Sequence, residues 1–166
     1  MTPGGLVFDV GDLVDHPEKE REVEGVDDHI RIEMIDVVLN PPVTASSNLR
    51  WVVEGLLARF RAEATASFRC TRCLTEWEEL VEVEANQLFG IEQDEDGYKL
   101  GPGLRIDLAG PVRDELGLAL PTSPICRQDC LGLCPVCGND LNRDPCDGHE
   151  EETDSPFAVL KDLFDS

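Results

Sequence analysis

An alternation of apolar and polar residues from Leu57 to Cys70 is the strongest pattern in the chain. The apolar positions on one face are Ala58, Phe60, Ala62, Ala64, Ala66 and Phe68. The positions between them are Arg59, Arg61, Glu63, Thr65, Ser67 and Arg69. Because successive side chains of a strand point to opposite faces, this alternation predicts a half-buried strand with a polar outer face.

A second strand pattern follows from Trp77 to Phe89, and the two strands together predict a hairpin over about 57–89 with Cys70–Leu74 at its tip. Folding the strands about that tip is expected to bring opposite charges within reach of each other across the hairpin. The expected neighbours are Arg69 with Glu78, and Thr65 with Glu82.

Weaker patterns predict the remaining elements. Residues 6–10 and 30–39 resemble strands, residues 46–48 resemble a turn, and the polar segment 11–28 fits either a short helix or a loop. Apolar residues at helical spacing predict a helix over about 108–119, after Asp107 as its N-cap. Pro156 and the apolar residues after it predict a short helix in the tail.

These elements predict a β-rich α+β fold. Its body is an antiparallel sheet or a small barrel-like structure over residues 1–120, joined to a C-terminal zinc-binding knuckle or ribbon module over 121–150. An acidic tail over 151–166 completes the predicted organisation. No apolar run is long enough to span a bilayer, and the acidic N-terminus lacks the pattern of a signal peptide. We therefore expect a cytoplasmic protein with no membrane partner.

The charge of the chain is strongly negative but uneven. The formal net charge is −21, from 14 basic and 35 acidic residues. Residues 50–72 are a basic island, with five arginines against two glutamates. Because the overall field repels phosphate, any contact with RNA is expected to be local. The arginines that would make it are Arg59, Arg61, Arg69 and Arg72; the alternative is that they pair with Glu78, Glu82 and Glu84 across the hairpin.

The segment Cys126–His149 holds five of the seven cysteines and has the spacing of metal ligands. Cys134 and Cys137 enclose Pro-Val and precede a glycine, as in a zinc knuckle, and Cys146 and His149 form a second pair with the same spacing. These four residues predict a closed, structural Zn²⁺ site with no open position for a substrate. In a reducing compartment such clusters are metal ligands more often than disulfides. Should His149 not be a ligand, Cys130 or an acidic side chain takes its place.

The pair Cys70 and Cys73 has three interpretations. It could complete a second four-cysteine site with Cys126 and Cys130, since seven cysteines and one histidine supply enough donors for two Zn²⁺ ions. Alternatively one ion is shared, with the pair joining Cys134 and Cys137. A redox pair is the third interpretation, and it is the weakest because the pair lies between two strands and not at a helix N-terminus.

Four short segments resemble a known family. They are CTRCL at 70–74, LALP at 118–121, CRQDCLGLCPVCG at 126–138 and SPFAVL at 155–160. In this order they resemble the bacterial YceD family of large-subunit ribosomal RNA accumulation proteins, over the chain from about Ala58 onward. The resemblance implies a non-enzymatic cytoplasmic protein, with relatives in chloroplasts, that acts by binding during rRNA processing or ribosome assembly. It implies no small-molecule substrate.

Two functions from different classes are consistent with these features. The first is a factor that binds large-subunit ribosomal RNA or a pre-ribosomal particle. The second is a zinc-stabilised adaptor whose acidic ends bind a basic partner such as a ribosomal protein, without RNA.

Overall fold

The computed structural model describes residues 5–90, 97–146 and 149. The strands are β1 (Val7–Asp9), β2 (Glu20–Asp27), β3 (Ile32–Met34), β4 (Val37–Leu39), β5 (Val43–Val52), β6 (Gly55–Arg69), β7 (Glu76–Gly90) and β8 (Arg105–Asp107). The helix is α1 (Ala109–Ala119). The predicted tail helix after Pro156 lies outside the described residues.

Strand β6 is the centre of a curled antiparallel sheet of six strands. Along one edge it pairs first with β5 and then with β4, and along the other edge it pairs with β7 over its whole length. Strand β2 extends the sheet beyond β5, and β3 extends it beyond β4. The β-rich antiparallel body is therefore confirmed. In the described residues the pairing order is that of an open sheet and not of a closed barrel.

The core lies on the alanine-rich face of β6. All six apolar positions predicted for that face are buried, whereas arginine and glutamate side chains occupy its exposed face. Helix α1 packs against β7 and β6 through Val112 and Leu116, which are fully buried. Strands β1 and β8 pair with each other, and Ile106 of β8 and Leu6, which precedes β1, belong to the same core. The helix begins one residue later than predicted, with Leu108 and not Asp107 at its N-cap position. The carboxylate of Asp107 still accepts a hydrogen bond from the amide of Ala109.

Three local predictions are wrong. The segment 30–39 is not one strand, because it turns between Met34 and Val37 and forms the hairpin of β3 and β4. Residues 46–48 are not a turn but the middle of β5, where the hydroxyl of Ser47 is buried and donates to the carbonyl of Arg59 at 3.1 Å. The segment 11–28 contains strand β2, whereas we expected a short helix or a loop. Pairing with neighbouring strands overrides local preference in each case.

The predicted register of the hairpin is wrong by two residues. Arg69 pairs with Glu76 and Thr65 pairs with Leu80. The loop between the strands is Cys70–Thr75, one residue longer than the tip predicted from the sequence. Because a shift of two residues leaves every side chain on its own face, the predicted inner and outer faces are unaffected.

No helix among the described residues is long and apolar enough to cross a membrane.

Candidate metal centres

The hairpin loop turns both of its cysteines toward one side. The amide of Cys70 donates to the carbonyl of Thr75 at 2.8 Å, and the amide of Leu74 donates to the carbonyl of Cys70 at 2.9 Å. Leu74 has a φ of 60°, the left-handed conformation that reverses the chain after Cys73. The loop thereby places two thiols three positions apart at the end of the sheet.

The cysteine-rich segment is bonded to this loop through main-chain groups. The amide and the hydroxyl of Thr71 both donate to the carbonyl of Pro124, at 2.9 and 3.2 Å. The guanidinium of Arg72 donates to the carbonyl of Cys130 at 3.0 Å, and the carbonyl of Arg72 accepts from the amide of Leu133 at 3.0 Å. These four hydrogen bonds align residues 124–133 with the hairpin tip.

Gly132 permits the close approach of the two segments. Its φ is +79°, and a Cβ atom there would lie 3.1 Å from the carbonyl oxygen of Arg72. Any other residue would be strained in this conformation and crowded against that oxygen.

The first cluster consists of Cys70, Cys73, Cys126 and Cys130, whose Sγ atoms all lie within 4.8 Å of one another. The Sγ atoms of Cys70 and Cys130 are 3.9 Å apart, and those of Cys73 and Cys126 are 3.6 Å apart. With a Zn–S distance of about 2.3 Å, the edge of a regular S₄ tetrahedron is about 3.8 Å. The cluster therefore has the dimensions of a four-thiolate metal site. Cys126 is exposed, whereas the other three residues are buried.

Main-chain donors favour a thiolate in the first cluster. Burial opposes ionisation of Cys70, but the amides of Cys126, Cys73 and Arg72 outweigh it and lower the pKa of Cys70 to about 6. Cys126 lies on the solvent side of the cluster and is exposed as a residue. The loss of water around its sulfur and its hydrogen bonds to neighbouring thiols nevertheless raise the pKa of Cys126 to about 12. Four thiolates at this spacing would repel one another, and a cation bound among them would compensate their charge.

The second cluster consists of Cys134, Cys137, Cys146 and His149, whose ligand atoms also lie within 4.8 Å of one another. A small ribbon forms its first half. The amide of Cys134 donates to the carbonyl of Asn139 at 2.8 Å, and the amide of Gly138 donates to the carbonyl of Cys134 at 2.9 Å. Gly138 has a φ of +75°, as expected for the residue that follows the second ligand of a knuckle.

The second cluster is more open to solvent than the first. Cys134 is buried, Cys146 is half-buried, and both Cys137 and His149 are exposed. The amides of Cys137 and Val136 lower the pKa of Cys134 to about 6. A thiolate is therefore favoured here by the turn itself, without contacts from the sheet.

Asn142 contacts Cys130 of the first cluster and was not predicted. Its Oδ1 atom accepts from the amide of Leu131 and from the guanidinium of Arg127, each at 2.8 Å. Its Nδ2 atom donates to the carboxylate of Asp140 at 2.7 Å and to the Sγ atom of Cys130 at 3.6 Å. Nothing in the sequence distinguishes Asn142 from Asn139 three residues earlier, so only the structure reveals it.

The grouping of the cysteines matches one of the three interpretations of the hairpin pair. Cys70 and Cys73 lie with Cys126 and Cys130, and not with the residues of the second cluster. The pair follows the end of a strand and Cys70 is fully buried, and neither feature favours the redox interpretation.

Three of the four candidate RNA-binding arginines contact protein groups. Arg61 forms ion pairs with Glu82 and Glu84 at 3.1 and 3.5 Å, and Arg69 pairs with Asp36 at 2.7 Å. Arg72 donates to Cys130 as described above. Arg59 forms no ion pair within the described residues and lines a groove of about 910 Å³ with Ser46, Asn48 and Asn86. Three glutamates also line this groove: Glu22, Glu24 and Glu84.

These observations define a class of protein. It is a β-rich protein with two candidate metal centres, one of which joins the sheet to the cysteine-rich C-terminal segment. The family model described as large ribosomal RNA subunit accumulation protein YceD matches residues 58–164. The chain belongs to the YceD family.

Relatives of the chain are found in bacteria and in a plant. An uncharacterized protein of Mycobacterium tuberculosis is 32% identical over 169 residues, which cover 96% of this chain and 75% of that protein. An uncharacterized protein of Mycobacterium leprae is 32% identical over 143 residues, which cover 81% of this chain and 65% of that protein. The chloroplastic large ribosomal RNA subunit accumulation protein YCED homolog 1 of Arabidopsis thaliana is 36% identical over 58 residues, or 35% of this chain and 18% of its own. No solved structure matches the chain.

Proposed function

We propose that this protein is a non-enzymatic factor that supports the accumulation of large-subunit ribosomal RNA. It acts in the cytoplasm by binding rRNA or a ribosomal protein of the pre-ribosomal particle during rRNA processing or subunit assembly. The observation that carries the proposal is the family match over residues 58–164, which contain most of β6, all of β7 and both cysteine clusters.

In this proposal both clusters hold structural Zn²⁺. The sulfur separations of 3.6 and 3.9 Å in the first cluster support this, since they are close to the edge of a tetrahedral Zn–S₄ site. Four protein ligands at each site complete the tetrahedron, so the metal contributes folding free energy and not catalysis. Softer thiolate ligands favour Zn²⁺ over Mg²⁺ or Ca²⁺.

The contact with RNA, if direct, is centred on Arg59. The charges of Arg61 and Arg69 are compensated by carboxylates 2.7–3.5 Å away. The groove around Arg59 offers Ser46, Asn48 and Asn86 as further hydrogen-bonding groups, and its glutamates restrict the contact with phosphate to the immediate neighbourhood of Arg59. Such groups suit phosphate and sugar contacts that position RNA without reading its sequence.

Depletion of the protein in its own cells tests the function. The expected result is a fall in the ratio of mature large-subunit to small-subunit rRNA, restored by the wild-type chain. Restoration by an Arg59→Gln variant should be weaker than restoration by Arg61→Gln, because only Arg59 faces the groove without an ion pair in the described residues. An unchanged rRNA ratio after depletion would contradict the proposal.

A zinc-stabilised adaptor that binds a basic protein without RNA is the second candidate. The net charge of −21 and the ion pairs of Arg61 and Arg69 favour it, since they leave little positive potential for phosphate. Treatment of cell extracts with RNase separates the two functions. An adaptor should remain associated with its partner after the treatment, whereas an RNA-bound factor should be released.

A further inference from the structure

Strand β7 presents a long edge without a neighbouring strand in the part of the chain that the structure describes. From Glu76 to Phe89 it pairs with β6 alone within the described residues, and the next strand contact is an isolated bridge between Gly90 and Lys99. Every second residue of an edge strand directs its N–H and C=O groups away from the sheet. The edge is therefore a template onto which another extended segment can hydrogen-bond.

The two faces of β7 differ in character. On the inner face Val81, Val83 and Ala85 are half-buried and pack against the core. On the outer face Glu78, Glu82 and Glu84 are exposed. An added strand would cover the partly exposed valines and place its other face beside the glutamates.

The charge of the edge restricts what can bind there. Strand β7 contains five glutamates and no basic residue, and Arg61 compensates only Glu82 and Glu84. A second copy of β7 would bring glutamates against glutamates, which destabilises strand pairing. The chain's own segment 150–166 has six acidic residues and one lysine, so its charge is also unfavourable. RNA would be repelled and cannot form a β-ladder.

We propose that the edge of β7 binds an extended basic segment of a protein partner as an additional strand. The segment alternates apolar residues, which lie beside Val81 and Val83, with lysine or arginine, which lie beside Glu82 and Glu84. This inference rests on the proposed function and deepens it by naming the chemistry of the partner.

A fluorescent peptide of about ten residues, which spans about 33 Å as a strand, is a suitable probe for the full-length protein. It alternates lysine and valine. One control peptide has the same composition with its lysines grouped together, so that it keeps the charge but loses the alternation. A second control carries N-methyl groups on alternate amides, which removes the ladder hydrogen bonds. We expect the alternating peptide to bind at least about tenfold more tightly than either control, and hydrogen exchange of alternate β7 amides to slow when it binds.

The matched variants change the same charge on opposite edges of the sheet. The Glu82→Gln and Glu84→Gln double variant should bind the peptide about fivefold more weakly, given two cross-strand charge contacts. The Glu22→Gln and Glu24→Gln double variant alters exposed positions of β2 and should bind as the wild type does. Equal weakening in both variants, or equal binding of all three peptides, would show general attraction to an acidic protein and would overturn the proposal. Slow exchange of the edge amides before any peptide is added would also overturn it, since a segment of the chain or a second copy would then occupy the edge.

The outcome is separable from that of the depletion experiment. Failure of the peptide to bind while depletion still lowers large-subunit rRNA would refute only the docking site. Unchanged rRNA after depletion, with the peptide bound at β7, would refute the proposed function and leave the docking site as a property of the sheet.

Discussion

The two cysteine clusters offer the same number of ligands but differ in where the ligands come from. In the first cluster the paired sulfurs belong to residues 53 and 60 positions apart, and three of the four residues are buried. In the second cluster all ligands lie between Cys134 and His149, and only Cys134 is buried. Metal in the first cluster would therefore join the sheet to the C-terminal module, whereas metal in the second would order only its own turn.

The largest expected effect follows from breaking the first cluster. Cys130→Ser removes a buried ligand and leaves three thiolates crowded around an incomplete site. We expect a loss of roughly 4 kcal/mol or more in the free energy of unfolding, a size typical of lost metal sites. Denaturant unfolding of the zinc-loaded proteins measures this. A loss no larger than that of Cys137→Ser, the same chemical change in the second cluster, would contradict the distinction between the clusters.

A smaller and more local effect is expected for Cys137→Ser. This residue is exposed and its ligand partners are close in sequence. We expect a loss of roughly 1–3 kcal/mol, with disorder limited to residues after Leu133 and the β-sheet circular dichroism unchanged. Amide hydrogen exchange would locate the change. Faster exchange in β6 and β7 would mean that one metal organises the whole chain.

The sequence predicts the second cluster better than the first for a physical reason. Its ligands are close enough along the chain for their spacing to indicate a shared ion, whereas the spacing of Cys70 and Cys73 is compatible with several partners. Which pair they join depends on contacts such as the hydrogen bonds from Thr71 to Pro124, and these are tertiary.

The strands show the same distinction between features that a local sequence pattern predicts and features that depend on tertiary contacts. The alternation in β6 is visible because one of its faces is fully buried. Strand β2 is hidden because neither of its faces is fully buried and its polar residues give no clear apolar stripe. The pairing of Ser47 within β5 likewise overrides a local turn preference. The identity of the metal, the division into domains and the cytoplasmic location stay predictions.

Asn142 should contribute to the stability of the first cluster. Asn142→Ala removes its bonds to Leu131 and Cys130 and leaves the amide of Leu131 without that acceptor. We expect a loss of roughly 1–2 kcal/mol and faster release of zinc from the first cluster to a chelator. Asn139→Ala is the matched control, because the side chain of Asn139 is exposed and forms no hydrogen bond within the described residues. Equal release rates in the two variants would show that Asn142 does not support the first cluster.

The smallest effect distinguishes a structural arginine from one available for RNA. Arg72→Ala removes the hydrogen bond to the carbonyl of Cys130 and should destabilise the protein by roughly 1 kcal/mol. Arg59→Ala should leave thermal stability within about 0.5 kcal/mol of the wild type, as is usual at exposed positions. Thermal unfolding compares them. A larger loss of stability from Arg59→Ala than from Arg72→Ala would contradict this distinction, because Arg59 would then be the structural arginine.

The number of zinc ions per chain tests the account most directly. Native mass spectrometry of the purified full-length protein gives this number for the wild type and for both cysteine variants. Two separate centres predict two ions in the wild type and one in each of Cys130→Ser and Cys137→Ser. A single ion in the wild type, or loss of all metal from either variant, would contradict the existence of two independent clusters.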